Sequence, residues 1–248
     1  MVRTICIANQ KGGVGKTTTA IHLATASAIA GQRTLLVDLD PQCNATSGIG
    51  QQPLERHPLV CERPLGESIR ITEVENLGIL PGSRYFQDID YLENGNASHS
   101  ERLKHHLANY TQRYDLVYID CPPSLGQLTQ TALSSSSEVL MPIQCEFFAM
   151  EGLTQMIHVI KRIMQRVDNQ LQFGGILLTM YEPQLELTHE VDAEVRDFFG
   201  EIVFDTVIPR DVTLSEASGH GQSTFEYAPR SRGTRAYTEL CQEILEYE

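Results

Sequence analysis

The chain has 248 residues, with 19 Lys or Arg against 32 Asp or Glu and a formal charge of −13. That length suits one α/β domain with a sizeable core, and the acidic balance excludes a protein that holds nucleic acid on a broadly cationic surface. Its apolar runs are strand-length, short of the ~20 residues a bilayer crossing needs.

Short β-branched runs alternate with longer amphipathic stretches. Thr4–Ala8 (TICIA) reads as a buried strand, followed by a glycine-rich loop and a helix from about Lys16 to Ala30, closed by Gly31. Thr34–Asp38, Leu77–Leu80, Leu116–Asp120, Val139–Ile143, Gly175–Met180 and Phe204–Ile208 read as further strands. Helical periodicity occupies Glu101–Tyr110, Leu153–Val167, Thr188–Phe199 and Thr234–Tyr247. Gly48–Pro64, with three prolines, reads as an irregular connection, and Ser134–Ser137 as a short turn. The alternation predicts an α/β fold in which a doubly wound, mostly parallel sheet carries helices on both faces, in a single domain spanning 1–248. Right-handed crossovers place the loops after the strands along one sheet edge, where ligands bind.

The loop after the first strand is Asn9-Gln10-Lys11-Gly12-Gly13-Val14-Gly15-Lys16-Thr17-Thr18-Thr19. Gln10 stands where the plain GxxxxGK[ST] phosphate-loop pattern has its first glycine, but the chemistry holds. Glycines let backbone N–H groups close around phosphate oxygens, and the helix N-terminus adds its dipole. Gly12, Gly13, Val14, Gly15 and Thr18 form the cradle, Lys16 reaches the β- and γ-phosphates, and the Thr17 hydroxyl suits Mg²⁺. Of only four lysines, Lys11 and Lys16 share this loop. Two ammonium groups acting alike would crowd one nucleotide, so Lys11 is expected to point outward, toward the phosphates of a nucleotide held by a second subunit.

Two further strand ends are acidic. Asp38-Leu39-Asp40-Pro41-Gln42-Cys43-Asn44 places two carboxylates two residues apart, a spacing suited to work around Mg²⁺ and to water activation. Asp120, ending an apolar strand before Cys121-Pro122-Pro123-Ser124, can hold a Mg²⁺-bound water.

The Lys11/Lys16 loop resembles the deviant Walker A motif of the ParA/MinD ATPases, P-loop NTPases whose first lysine acts across a nucleotide-sandwich dimer. Asp38–Asn44 resembles the family's switch I and Asp120–Gly126 its switch II. Pro142–Gly152 resembles a segment of the small chromosomal, Soj-like ParA proteins. Val207-Ile208-Pro209-Arg210-Asp211 resembles the IPRN segment whose Pro and Asn meet adenine, and Leu214–Ala217 and Tyr227–Gly233 extend the likeness to the C-terminus. Three departures stand out: Cys43 replaces a glycine, Asp211 an asparagine and Thr213 an arginine. The likeness is poorest over residues 50–113, and the N-terminal helix-turn-helix extension of larger plasmid ParA proteins is not expected.

The resemblance implies a Mg²⁺-ATP-dependent, dimerising ATPase of chromosome or plasmid partitioning. Lys11, Lys16 and Asp40 take the catalytic roles, with Asp40 orienting the attacking water. Thr17, Asp40 and Asp120 serve the metal, and Pro209 and Asp211 the base. It also implies an ATP-bound homodimer that binds double-stranded DNA without sequence preference, and a ParB-like partner that stimulates weak hydrolysis and release. Candidate DNA contacts are Arg210, Arg230, Arg232 and Arg235, with Lys161, Arg162 and Arg166 on one helix. From Asp205 onward, however, four basic residues face eight acidic ones. An alternative therefore stands beside the first reading, a positioning or regulatory ATPase acting on a protein cargo. An iron–sulfur reductase is disfavoured because Cys121 and Cys145 lack companions to ligate a cluster. The start of the chain lacks the apolar stretch of a signal peptide, and the six cysteines form no CxxC pair. The expectation is a cytoplasmic protein, nucleoid-associated if it binds DNA, with free thiols and no membrane anchor, since the glutamates of the last helix would repel anionic lipid.

Overall fold

The computed structural model describes residues 2–61, 63–86, 99–110, 113–147, 149–165 and 170–246. Phe148, Arg166 and the predicted helix ends at Val167 and Tyr247 lie outside them. Among the described residues, seven strands form one sheet: β1 (Arg3–Ile7), β2 (Thr34–Asp38), β3 (Arg70–Ile71), β4 (Leu77–Leu80), β5 (Leu116–Asp120), β6 (Glu138–Gln144) and β7 (Gln172–Thr179). Their spatial order is β3-β4-β2-β5-β1-β6-β7. All neighbours are parallel except β3, a two-residue antiparallel edge strand that the sequence pattern is too short to reveal.

The inner strands are buried on both faces because helices cover both, which explains their unbroken Val/Ile/Leu character. One face carries α1 (Lys16–Ile29), α7 (Val212–Gly219) and α9 (Arg232–Glu246), packed with Ile5, Ile7, Leu36, Tyr118 and Leu177. The other carries α3 (His99–Tyr110), α4 (Gln127–Ser134), α5 (Ala149–Met164) and α6 (Glu186–Phe199), over Val37, Val117, Met141 and Leu178. Two short helices, α2 (Asn44–Gly48) and α8 (Thr224–Tyr227), complete the set. The doubly wound α/β expectation is correct.

One predicted strand does not form. Phe204–Ile208 runs beside β7 and bonds to it at its two ends, Phe204 N–H to the Ile176 carbonyl (3.0 Å) and Ile208 N–H to the Leu178 carbonyl (2.9 Å), with isolated bridges at Ile176–Val203 and Tyr181–Pro209. Between those points the backbone N–H groups of Asp205 and Thr206 donate to the Glu243 carboxylate of α9, at 2.7 and 3.0 Å. A side chain thus replaces the ladder bonds a strand would need.

β1 lies between β5 and β6, so the loop after it is flanked by the loops after both neighbours. The parallel register pairs Ile7 with Asp120 on one side, and Asp120 with Asp38 on the next. Strand register alone therefore brings the two acidic strand ends together beside the glycine loop.

Candidate functional site

The glycine loop is held from below by side chains that the motif reading passed over. The Asn9 amide donates to the Pro142 carbonyl (2.8 Å), while its oxygen accepts the Lys11 N–H (3.1 Å). The Thr179 hydroxyl, at the end of β7, donates to the Val14 carbonyl at 2.9 Å, with the Ile143 carbonyl at 3.1 Å. Gly13 and Gly15 have φ of +77° and +89°, left-handed conformations that other residues adopt only under strain. Gly15 then caps α1, its carbonyl accepting the first helical bond from Thr19 N–H at 2.8 Å.

Lys16 turns back into this loop. Its ammonium donates to the Lys11 carbonyl at 2.8 Å, and the residue is only 6% exposed. Burial lowers its pKa, and the nearby Asp120, Cys121 and Asp40 oppose that fall. A desolvated cation aimed along a ring of backbone amides is ready for an anion.

In the single chain the Lys11 ammonium pairs with Glu146, in the loop after β6. Both side chains remain about a third exposed, so the pair sits at the rim of the site. The Pro142–Gly152 stretch was visible in the sequence as a resemblance, but nothing in it marked Glu146 as the partner of Lys11.

The acidic wall divides its labour. Asp38 is fully buried and locked: its carboxylate accepts Asp40 N–H (3.0 Å), Thr46 N–H (2.8 Å) and the Thr46 hydroxyl (2.6 Å). Burial nevertheless pushes its pKa up to about 6, against the pull of those hydrogen bonds. Asp40 accepts Gln42 N–H at 2.8 Å and is 6% exposed, so its orientation is fixed by its own turn. Asp120 is fully buried, and among the described residues neither of its oxygens has a hydrogen-bond donor within 3.5 Å. Burial and the charge of Asp38 raise its pKa strongly, while the Thr17 hydroxyl and Lys16 are close enough to oppose the rise. Two unpartnered carboxylate oxygens beside a threonine hydroxyl at a phosphate loop are the donor set a hard divalent cation takes.

Cys43, the residue in place of a glycine, adopts φ +56° and ψ +37° at the start of α2. The left-handed conformation that favours glycine is thus retained with a side chain attached. The thiol is buried and its pKa is pushed up to about 12, chiefly by desolvation and then by Asp38, so it carries no reactive thiolate.

Beside the loop, a cleft of about 190 Å³ runs from Gly15 and Thr18 to Met180, Pro209 and Asp211. Met180 also has a left-handed backbone, φ +52°, so two strained non-glycine residues flank the site. The structure brings Pro209 and Asp211 to the wall expected of them, but Asp211 has a second task. Its carboxylate caps α7 by accepting Thr213 N–H (3.0 Å) and the Thr213 hydroxyl (2.8 Å), and accepts Gly233 N–H of α9 (2.9 Å).

Two of the candidate DNA contacts are engaged within the chain. Arg210 is bound to Glu182 at 2.6 Å, and Arg232 donates to the Arg210 carbonyl at 3.3 Å. Arg230 and Arg235 line an open groove along the start of α9 together with Glu239. Among the described residues, no helix is long and apolar enough to cross a membrane.

The AAA domain family profile matches residues 2–173. The sporulation initiation inhibitor protein Soj of Bacillus subtilis is 42% identical over 249 residues, covering 98% of each chain. The chromosome partitioning protein ParA of Myxococcus xanthus is 43% identical over 249 residues, covering 98% of this chain and 88% of that one. Among solved structures, cobyrinic acid a,c-diamide synthase of Mycobacterium smegmatis, with a bound ATP analogue and magnesium, superposes with a TM-score of 0.86. It is 31% identical and covers 100% of this chain and 96% of that one. A phosphate loop with two lysines, acidic strand ends paired by register and similarity along nearly the whole length agree: the chain belongs to the AAA domain family, among the P-loop ATPases of the Soj/ParA type.

Proposed function

We propose that the protein is a Mg²⁺-ATP-driven dimerisation switch of DNA partitioning, working as one domain over 1–248. The observation that carries this reading is the pair of lysines in one loop with opposite dispositions. Lys16 is buried in its own loop, and Lys11 stands at the rim, held by a carboxylate about a third exposed.

In this reading the loop amides of Gly12 to Gly15, with Lys16 and Thr18, hold the triphosphate. Thr17 and the unpartnered Asp120 hold Mg²⁺ among them, and the metal supplies charge neutralisation at the phosphates. Among the described residues, no three His, Cys, Asp or Glu side chains converge on one point. That suits an ion which shares its coordination with phosphate and water instead of sitting in a protein cage. Asp40, fixed by its own turn, orients the attacking water. Lys11 leaves Glu146 and crosses to the partner's nucleotide, so the site is complete only in the dimer. Phosphoryl transfer depends mainly on positioning and charge stabilisation, and an incomplete site is therefore a slow one. A ParB-like partner would stimulate hydrolysis by acting on this assembly.

DNA binding without sequence preference would use the Arg230/Arg235 groove and Arg232, doubled across the dimer. The pairing of Arg210 with Glu182, and the acidic surplus after Asp205, favour the second reading on this point, in which the same switch positions a protein cargo.

Sizing chromatography and duplex-DNA gel shifts with the Asp40→Ala variant and ATP test both parts. Dimers that shift DNA, less as salt rises, support partitioning. Dimers that leave DNA unshifted at low salt overturn the DNA claim and favour the protein cargo. A chain that stays monomeric with ATP overturns the switch itself.

A further inference from the structure

The cleft beside the phosphate loop poses a question about the base that the loop leaves open. It is a slot with apolar walls, Pro209 and Met180, at the open end of the phosphate cradle. If the triphosphate lies in the loop, the base lies here. Several polar groups on its lining are already engaged. The Thr179 hydroxyl holds the Val14 carbonyl, the Tyr237 hydroxyl pairs with Thr19, and Arg210 is drawn off to Glu182.

Among the described residues, Asp211 is the one acidic side chain on this wall. Among the described residues, its Oδ1 receives both donors of Thr213 and its Oδ2 only one, the Gly233 N–H. An ionised carboxylate accepts about four hydrogen bonds, so Oδ2 keeps one acceptor position, fixed in place by the cap and by Gly233. Burial opposes ionisation, but the hydrogen bonds from Gly233 and Thr213 and the charge of Arg232 outweigh it, holding the carboxyl below its ordinary range. An anion that can only accept rewards N–H groups on a base edge and repels ring nitrogens. Adenine offers it one amino group between ring acceptors. Guanine offers N1–H and N2–H side by side.

We propose that Asp211 makes the site a general purine-nucleoside-triphosphate site, which takes GTP about as well as ATP. This deepens the nucleotide reading above and rests on it. A hydrogen bond to a charged group carries ~1.5–3 kcal/mol, so a purine with no N–H on its edge loses about tenfold or more in affinity.

The test is calorimetric titration of the full chain, with Mg²⁺, by ATP, GTP and purine riboside triphosphate, which lacks exocyclic amines. The expected result is GTP within about tenfold of ATP, and purine riboside triphosphate at least about tenfold weaker than either. GTP weaker than ATP by more than that margin, or purine riboside triphosphate binding as tightly as ATP, overturns the proposal. Asp211→Asn, which keeps a cap acceptor and adds a donor, should raise the ATP-to-GTP ratio about tenfold. The wild-type series stands alone should that variant fail to fold. Lys16→Ala separates the two levels of the claim: if no triphosphate binds the wild type better than this variant, the nucleotide site itself is wrong, and the base proposal falls with it. If triphosphates bind but select strongly for adenine, only the base proposal falls.

Discussion

The pairing of Lys11 with Glu146 gives a quantitative prediction. If Lys11 serves the partner's nucleotide, each subunit must give up its Lys11–Glu146 contact when the dimer closes. Both side chains are about a third exposed, so this is a screened rim pair, of the kind that contributes ~0.2–1 kcal/mol. A dimer breaks two of them, and Glu146→Gln therefore removes a cost of ~0.4–2 kcal/mol from assembly, tightening the ATP-bound dimer about 2- to 30-fold. Sedimentation equilibrium with ATP, in an Asp40→Ala background that blocks turnover, reads this directly. Raising the salt should shrink the difference, because screening weakens the same pair in the wild type. In a Lys11→Ala background, Glu146→Gln should change nothing. A Glu146→Gln dimer that is unchanged, or weaker than the parent, would refute the reasoning: Glu146 would then be part of the closed interface and no restraint on Lys11.

Other outcomes follow from the same geometry. Lys16→Ala should weaken ATP binding by about 10- to 100-fold in a fluorescent-nucleotide displacement assay, the loss expected for a charge-assisted contact. Cys43→Gly should be more stable than Cys43→Ala in urea denaturation by ~1 kcal/mol, reversing the usual penalty for glycine in a chain, because residue 43 has φ +56°. Equal stabilities, or a more stable alanine variant, would contradict the left-handed turn. His22, buried in α1, donates to the Thr18 carbonyl and accepts Thr224 N–H, so it must stay neutral; burial lowers its pKa to about 4. The unfolded chain takes up this proton from about pH 6.5 downward and the folded chain only near 4, so the contribution is complete above 6.5 and lost on acidification. Between those limits His22→Gln should gain on the wild type by about 3 kcal/mol in denaturant unfolding, and a difference independent of pH would exclude the buried neutral histidine.

Much of this was legible in the sequence because it lies in local pattern. The unbroken apolar strands announced a sheet covered on both faces, and Lys11 through Thr19 announced the phosphate loop, since glycine at positive φ and lysine at a helix start are local requirements. The glycine-like role of residue 43 was also readable, through the substitution there. What escaped was contact between distant segments. Glu146 meets Lys11, Thr179 holds Val14 and Asn9 holds Pro142 only because β6 is placed beside β1 and β7 beside β6. Phe204–Ile208 has the composition of a strand, but Glu243, nearly 40 residues later, takes the backbone donors of Asp205 and Thr206. Arg210 likewise meets Glu182, whose proximity no spacing rule reveals.

Whether Lys11 acts across the subunit boundary is decided most directly by mixing two defective chains. Lys11→Ala retains a loop able to hold ATP, and Lys16→Ala retains the crossing lysine, so neither should turn over ATP alone. In a mixed dimer, the first chain's nucleotide meets the second chain's Lys11. Random pairing makes about half the dimers mixed, each with one complete site of two, so the mixture should recover about a quarter of wild-type turnover at saturating dimer. A mixture as inactive as its components would show that Lys11 works on its own chain's nucleotide, and the two-subunit site would be wrong.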